Sequence, residues 1–154
     1  MITIARIDER LIHGQVAFAW TVAYPSQVVM AIDNEISKDP FQVSLLEMAC
    51  PKSAKCLVVN EEKAVQFLIK NKSKKFFVVV KHPKTLLYLI DHGVDLKSIN
   101  VGGLYFKEGR KQITKTVYVD DEMIETFKEL DTKNVVLDCR TTPSDKSYDL
   151  MKLL

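Results

Sequence analysis

Little in this chain would tie it to a disulfide framework, a nucleotide or a membrane. Its three cysteines, Cys50, Cys56 and Cys139, are an odd number without a C-x-x-C pair, which argues against both a disulfide framework and a structural zinc site. They read as small buried hydrophobes. The five glycines form neither G-x-x-x-x-G-K-S/T nor G-x-G-x-x-G, so no loop for cradling ATP or a dinucleotide is present. No apolar run nears the roughly 20 residues needed to span a bilayer, and Arg6 interrupts the N-terminal run before a signal-type segment can form. The formal net charge is only +2, with 22 basic residues scattered among 20 acidic ones, so nucleic acid lacks a basic stripe to bind. The expectation is a soluble, cytoplasmic domain with no direct membrane insertion, metal or cofactor.

An apolar content of 47% over 154 residues is enough to build one compact domain spanning 1–154. Short β-branched runs recur: "ITIARI" at 2–7, "QVVMAI" at 27–32, "AKCLVV" at 54–59, "KFFVVV" at 75–80, "SINV" at 98–101 and "NVVLDC" at 134–139. Segments of helical length and period separate most of them, the alternation that builds βαβ units. Helix starts fit this frame: Asp39 before Pro40, Asn60 before Glu61 and Glu62, Pro83 itself, and Asp120 before "DEMIETFKEL". The fold class is therefore α/β, an open, doubly wound, mainly parallel sheet with helices on both faces. Residues 100–119 break the alternation and read as a loop or ribbon with an additional strand. The basic run "KNKSKK" at 70–75 reads as a solvated helix end.

The chemistry gathers in "RIDERLIHGQV", residues 6–16. If "ITIARI" is the first strand and the helix begins near Gln15, this stretch lies at the strand's carboxyl end, where open parallel sheets bind ligands. His13 then stands just before a helix N-terminus, whose free N–H groups and dipole favour an anion. Arg10 and Arg6 add positive charge, and a guanidinium forks well onto phosphate. A neutral imidazole can also accept a phosphoryl group while its other nitrogen is oriented by a carboxylate, for which Asp8 is the candidate. Asp8 can equally pair with Arg6 or Arg10 and shape the loop. His13 can equally be a satisfied polar residue at a helix start.

"RIDERLIHGQV" followed by Trp20, then "MACP" at 48–51, "NVGGL" at 100–104 and "VYVDDEMIETFKEL", resembles the enzyme IIB components of the mannose/fructose/sorbose family of the bacterial sugar phosphotransferase system. The similarity covers essentially the whole chain and implies a sheet of about six or seven strands. It implies that His13 takes a phosphoryl group from a IIA phosphohistidine and passes it to a sugar held by the IIC/IID membrane components. Arg10 and the backbone around Gly14 and Gln15 are then expected to stabilise the transferring oxyanions, and Asp8 to orient His13 or Arg10. Arg6 and a Gly102–Gly103 turn are supporting candidates bordering the same crevice. The chain departs from the family in Asp33-Asn34-Glu35, where relatives often read Asn-Asp-Glu, and in Leu104, where Met is frequent.

His82 and His92 flank one helix and are explained by capping or by the helix dipole. Trp20 is assigned to core or partner-facing packing. Two rival readings stay open: a regulatory or binding module whose histidine accepts phosphate without passing it on, and a metal-free hydrolase or isomerase using His13 as an acid–base. Self-association is left open too.

Overall fold

A seven-stranded sheet organises the computed structural model, which describes all 154 residues. The elements run β1 (Ile2–Asp8), α1 (Gly14–Ala23), β2 (Val28–Ile32), α2 (Pro40–Ala49), β3 (Lys55–Val59), α3 (Glu61–Lys70), β4 (Phe76–Val80), α4 (Pro83–Asp91) and β5 (Ser98–Gly103). They continue through a separate ribbon of β6 (Lys111–Thr114) and β7 (Val117–Val119), then α5 (Asp121–Thr132), β8 (Val136–Cys139) and β9 (Tyr148–Asp149). The sheet order is β3-β2-β4-β1-β5-β8-β9, parallel except for β9, which is antiparallel to β8. The α/β expectation holds, and each anticipated run is a strand. The two-residue β9 had no apolar run to announce it.

Every residue of β4 is buried, as the uninterrupted "FFVVV" demands of a strand covered on both faces. Full burial of each such side chain is worth about 1.5–3 kcal/mol. On one face, Ala64 and Leu68 of α3, Leu86 and Leu89 of α4, and Met123, Phe127 and Leu130 of α5 pack on Ala5, Ile7, Val78 and Ile99. On the other, Ala17 and Trp20 of α1 pack with Ile4, Val29, Phe77 and Val79. Asp39, Asn60 and Asp120 each cap their helix through the side chain, as the sequence signals required. The 70–75 run is largely exposed between α3 and β4.

This topology places the crevice. From β1 the chain turns toward β2, while from β5 it leaves toward β8 on the opposite side, so the loops after these two adjacent strands part. Such a divergence at the carboxyl edge opens room for a ligand.

Candidate active site

β1 alternates Ala5 and Ile7 into one core with Ile4, Arg6 and Asp8 on the α1 side. Its last residue, Asp8, is fully buried. The loop that follows is anchored by Leu11 and Ile12, both buried, and Leu11 N–H donates to Asp8 O at 2.9 Å. Leu11 takes the left-handed conformation at φ 58°, a cost of roughly 1–2 kcal/mol that its burial offsets. Gly14, the first residue of α1, has φ +34°, a region that side chains avoid.

The Asp8 carboxylate collects the loop. Oδ2 accepts from Arg6 Nη2 at 3.0 Å and lies 3.0 Å from His13 Nε2; Oδ1 accepts from Arg10 N–H at 3.0 Å, with Arg10 Nε at 3.6 Å. A carboxylate only accepts, so His13 Nε2 carries the proton and Nδ1 keeps its lone pair. Asp8 thus contacts His13, Arg10 and Arg6 together, where the sequence left these as alternatives. Burial pulls the His13 pKa below its usual value, and Arg10 and Arg6 push the same way against Asp8. The imidazole is therefore neutral near pH 7. His13 precedes α1 in extended conformation and provides no side-chain cap, so the first-turn N–H groups around Gly14, Gln15 and Val16 stay free for an anion.

The arginines divide into an inner and an outer one. Arg6 is only 2% exposed; burial lowers its pKa against the pull of Asp8, and the guanidinium stays charged. It backs Asp8 instead of bordering the crevice. The Arg10 side chain is 51% exposed, with its guanidinium 4.9 Å over the Tyr105 ring. Gln15 is exposed at the helix start.

Gly102 and Gly103 correct an expectation: they form no turn after the strand but are buried residues of β5. A Cβ on Gly102 would come within 2.0 Å of Arg6 Nη1, and one on Gly103 within 2.7 Å of Asp8 Cγ. Their function in the fold is to leave room for the two side chains that hold His13, because β1 and β5 lie side by side.

Residues assigned no site role from the sequence, Asn100 of the "NVGGL" segment among them, complete the frame. Asn100 Oδ1 accepts from Arg6 Nη1 at 2.6 Å. Glu9 accepts from Arg110 Nη1 at 2.7 Å, Lys107 Nζ at 3.1 Å and Tyr105 N–H at 2.7 Å, tying the His13 loop to the segment after β5. Burial pushes the Glu9 carboxyl up, but Arg110, the Tyr105 N–H and Lys107 outweigh it and hold its pKa below the usual range. Only spatial proximity reveals these partners, since about a hundred residues separate them in the chain.

The other polar residues have local duties. His82 Nδ1 accepts from Lys84 N–H at 3.1 Å and caps α4; His92 Nδ1 donates to Tyr88 O at 2.8 Å. Trp20 is wholly buried, its Nε1 donating to Thr141 O at 3.1 Å. Cys50 and Cys139 are buried free thiols, while Cys56 is only half-buried. A cavity of about 590 Å³ opens at the opposite end of the strands, beside Met1 and Ser98, away from His13. No group of three or more His, Cys, Asp or Glu side chains is arranged to hold a metal ion, and no helix is long and apolar enough to cross a membrane.

Fold and site together define an α/β domain with a neutral histidine, backed by a buried carboxylate, at a helix N-terminus on the ligand-binding edge. Comparison with known proteins specifies the class further. A family described as the sorbose subfamily IIB component of the phosphotransferase system matches residues 2–154, and the chain belongs to that family. It is 36% identical to the sorbose-specific EIIB component of Klebsiella pneumoniae over 152 residues, 97% of this chain and 93% of that one. It is 34% identical to the sorbose-specific EIIB component of Lacticaseibacillus casei over 153 residues, 98% of this chain and 93% of that one. The crystal structure of the IIBSor domain of the K. pneumoniae sorbose permease superposes with a TM-score of 0.95 at 35% identity, covering 99% of this chain and 95% of that one. The chain is thus a IIB component whose place is in phosphotransfer during sugar uptake.

Proposed function

We propose that the protein is a phosphocarrier in which His13 Nδ1 takes a phosphoryl group from a phosphohistidine of a IIA protein and hands it to a sugar held by the IIC/IID membrane components. One observation carries the reading: Asp8 occupies His13 Nε2 at 3.0 Å, which leaves the Nδ1 lone pair on a neutral, part-exposed imidazole at the start of α1. In the first step that lone pair forms the new N–P bond while the donor's N–P bond breaks, its electron pair returning to the donor imidazole. His13 becomes cationic at the instant of attack, and Asp8, hydrogen-bonded to Nε2–H, stabilises that charge. In the second step a sugar hydroxyl attacks phosphorus, the P–Nδ1 pair returns to His13, and the hydroxyl proton leaves to solvent or a base of the acceptor.

Positioning and charge neutralisation supply most of such a reaction. Arg10 supplies the mobile guanidinium for the equatorial oxygens, and the N–H groups of Gly14 and Gln15 supply fixed donors. Arg6, Gly102 and Gly103 act one layer back by holding Asp8. The protein works at the cytoplasmic face, reaching the membrane through its partners.

The test is incubation with a phosphorylated IIA donor, with the modification mapped by mass spectrometry under non-acidic conditions. Phosphate on His13, absent from His13→Ala and passed on to sugar when IIC/IID membranes are added, supports the reading. An unmodified wild type, or a His13→Ala labelled equally well, overturns it. Labelling without onward transfer assigns the domain to regulation.

A further inference from the structure

Behind His13 lies a second set of polar side chains that the transfer chemistry does not touch. Arg6 Nη1, pointing away from Asp8, donates to Asn100 Oδ1 at 2.6 Å, and Asn100 on β5 is 1% exposed. The Asn100 amide nitrogen donates to Arg140 O at 3.0 Å and approaches Asp138 Oδ2 at 3.4 Å. Asp138 in turn accepts from Arg140 Nε at 2.8 Å. Trp20 lies against both arginines of the row, with the guanidinium carbons of Arg6 and Arg140 at 5.4 and 5.3 Å from its ring.

The Asn100 amide has one orientation that satisfies it. Its oxygen faces a guanidinium, which only donates, and its nitrogen faces a carbonyl and a carboxylate, which only accept. A flipped amide would set donor against donor and acceptor against acceptor. The fixed amide holds the Arg6 fork, and the fork sets which Asp8 oxygen faces His13.

We propose that Asn100 is a positioning residue for His13: through Arg6 and Asp8 it locks the imidazole with its proton on Nε2 and its lone pair on Nδ1. The role in transfer rests on the phosphocarrier reading above; the lock itself does not. Outer partners that orient a metal-ligating histidine change its activity by about ten- to a hundredfold when mutated, and Asn100 stands in the same relation to the ring of His13.

The test uses the full ¹⁵N-labelled protein and two shape-matched variants. Asn100→Leu removes the acceptor facing Arg6, whereas Asn100→Asp keeps that acceptor while giving up the donor to Arg140 O and Asp138, so the pair separates the Arg6 side of the amide from its far side. Two-bond ¹H–¹⁵N imidazole spectra report the tautomer, with His82 and His92 as internal references, and phosphorylation by a IIA donor reports the rate. The expected result is a single Nε2–H tautomer of His13 in wild type and Asn100→Asp, and a mixture in Asn100→Leu, with unshifted His82 and His92. Phosphorylation of Asn100→Leu should slow by about tenfold or more at unchanged KM for the donor. Should Asn100→Leu not fold, Asn100→Ser, which keeps a hydroxyl but falls one bond short of Arg6, takes its place. A wild-type tautomer and rate in the acceptor-deficient variant overturns the inference. If no donor phosphorylates even wild type, the phosphocarrier reading falls, and the tautomer comparison alone still decides whether Asn100 sets the ring.

Discussion

Gly103 pairs with Asp8 across β1 and β5, and a side chain there would stand 2.7 Å from the Asp8 carboxyl carbon. The same added carbon would stand 2.6 Å from the Tyr105 hydroxyl. A backbone position some ninety residues away from His13 therefore sets where its carboxylate partner can lie.

Gly103→Ala is accordingly expected to displace Asp8 from His13 Nε2. Overpacking of this kind destabilises by about 1–3 kcal/mol, seen as a lowered Tm. Phosphorylation of His13 should fall more than that loss explains when measured well below the Tm, because the folded variant carries a misplaced carboxylate. A folded Gly103→Ala that is phosphorylated at the wild-type rate would show that Asp8 tolerates the shift.

Arg10→Ala separates binding from support. Its side chain is half exposed, and it meets Asp8 Oδ1 only at 3.6 Å, so truncation should leave the Tm within a few degrees. Transfer should drop by about ten- to a hundredfold through loss of a charge-assisted donor to the phosphoryl oxygens. Parallel loss of Tm and rate would make Arg10 a structural arginine instead.

The contrast between Arg10 and Arg6 also shows where sequence reasoning ends. Asp8, Arg10 and His13 lie within six residues, so the strand-to-helix placement alone brings them to one loop and one edge of the sheet. That Arg6 turns inward could not be read locally, since its partners are Asn100 and the space left by Gly102. The strands were legible because a parallel sheet buried on both faces needs continuous β-branched runs. The same rule hid the end of β5, where "NVGG" trades side chains for room and reads as a turn. Glu9 and Arg110 were illegible for a similar reason: their bond joins segments 101 positions apart.

The depressed His13 pKa fixes the pH response of transfer. Burial is the main cause, with Arg10 and Arg6 assisting and Asp8 opposing. The nucleophilic neutral form therefore persists below pH 6.5, the unfolded value, and the phosphorylation rate should stay level from pH 8 to below 6.5 before it falls. In stability terms the folded chain resists the proton, so its His13 contribution is present above pH 6.5 and is lost as pH falls through the lower folded value. Asp8→Asn removes the upward contribution and should move the titration, followed by ¹H NMR of the imidazole, lower still. An imidazole titrating above 6.5 in wild type would contradict the neutral nucleophile.

Glu9 and Arg110 form a two-pronged clamp. Arg110 is 7% exposed, and its two bonds to Glu9, at 2.7 and 3.1 Å, tether the His13 loop to the segment after β5. Arg110→Ala leaves a part-buried carboxylate with fewer donors, at a cost of about 1–3 kcal/mol. Because Arg110 is the largest downward influence on Glu9, the Glu9 pKa should rise in the variant, as ¹³C NMR of its carboxyl can follow. In wild type this contribution is intact above pH 4.5, the unfolded value, and is lost as pH falls through the lower folded one, so the Tm difference between the two proteins should shrink below pH 4.5. A Tm difference that stays constant down to pH 3 would assign the loss to packing of the arginine stem, and the clamp would then be steric, not ionic.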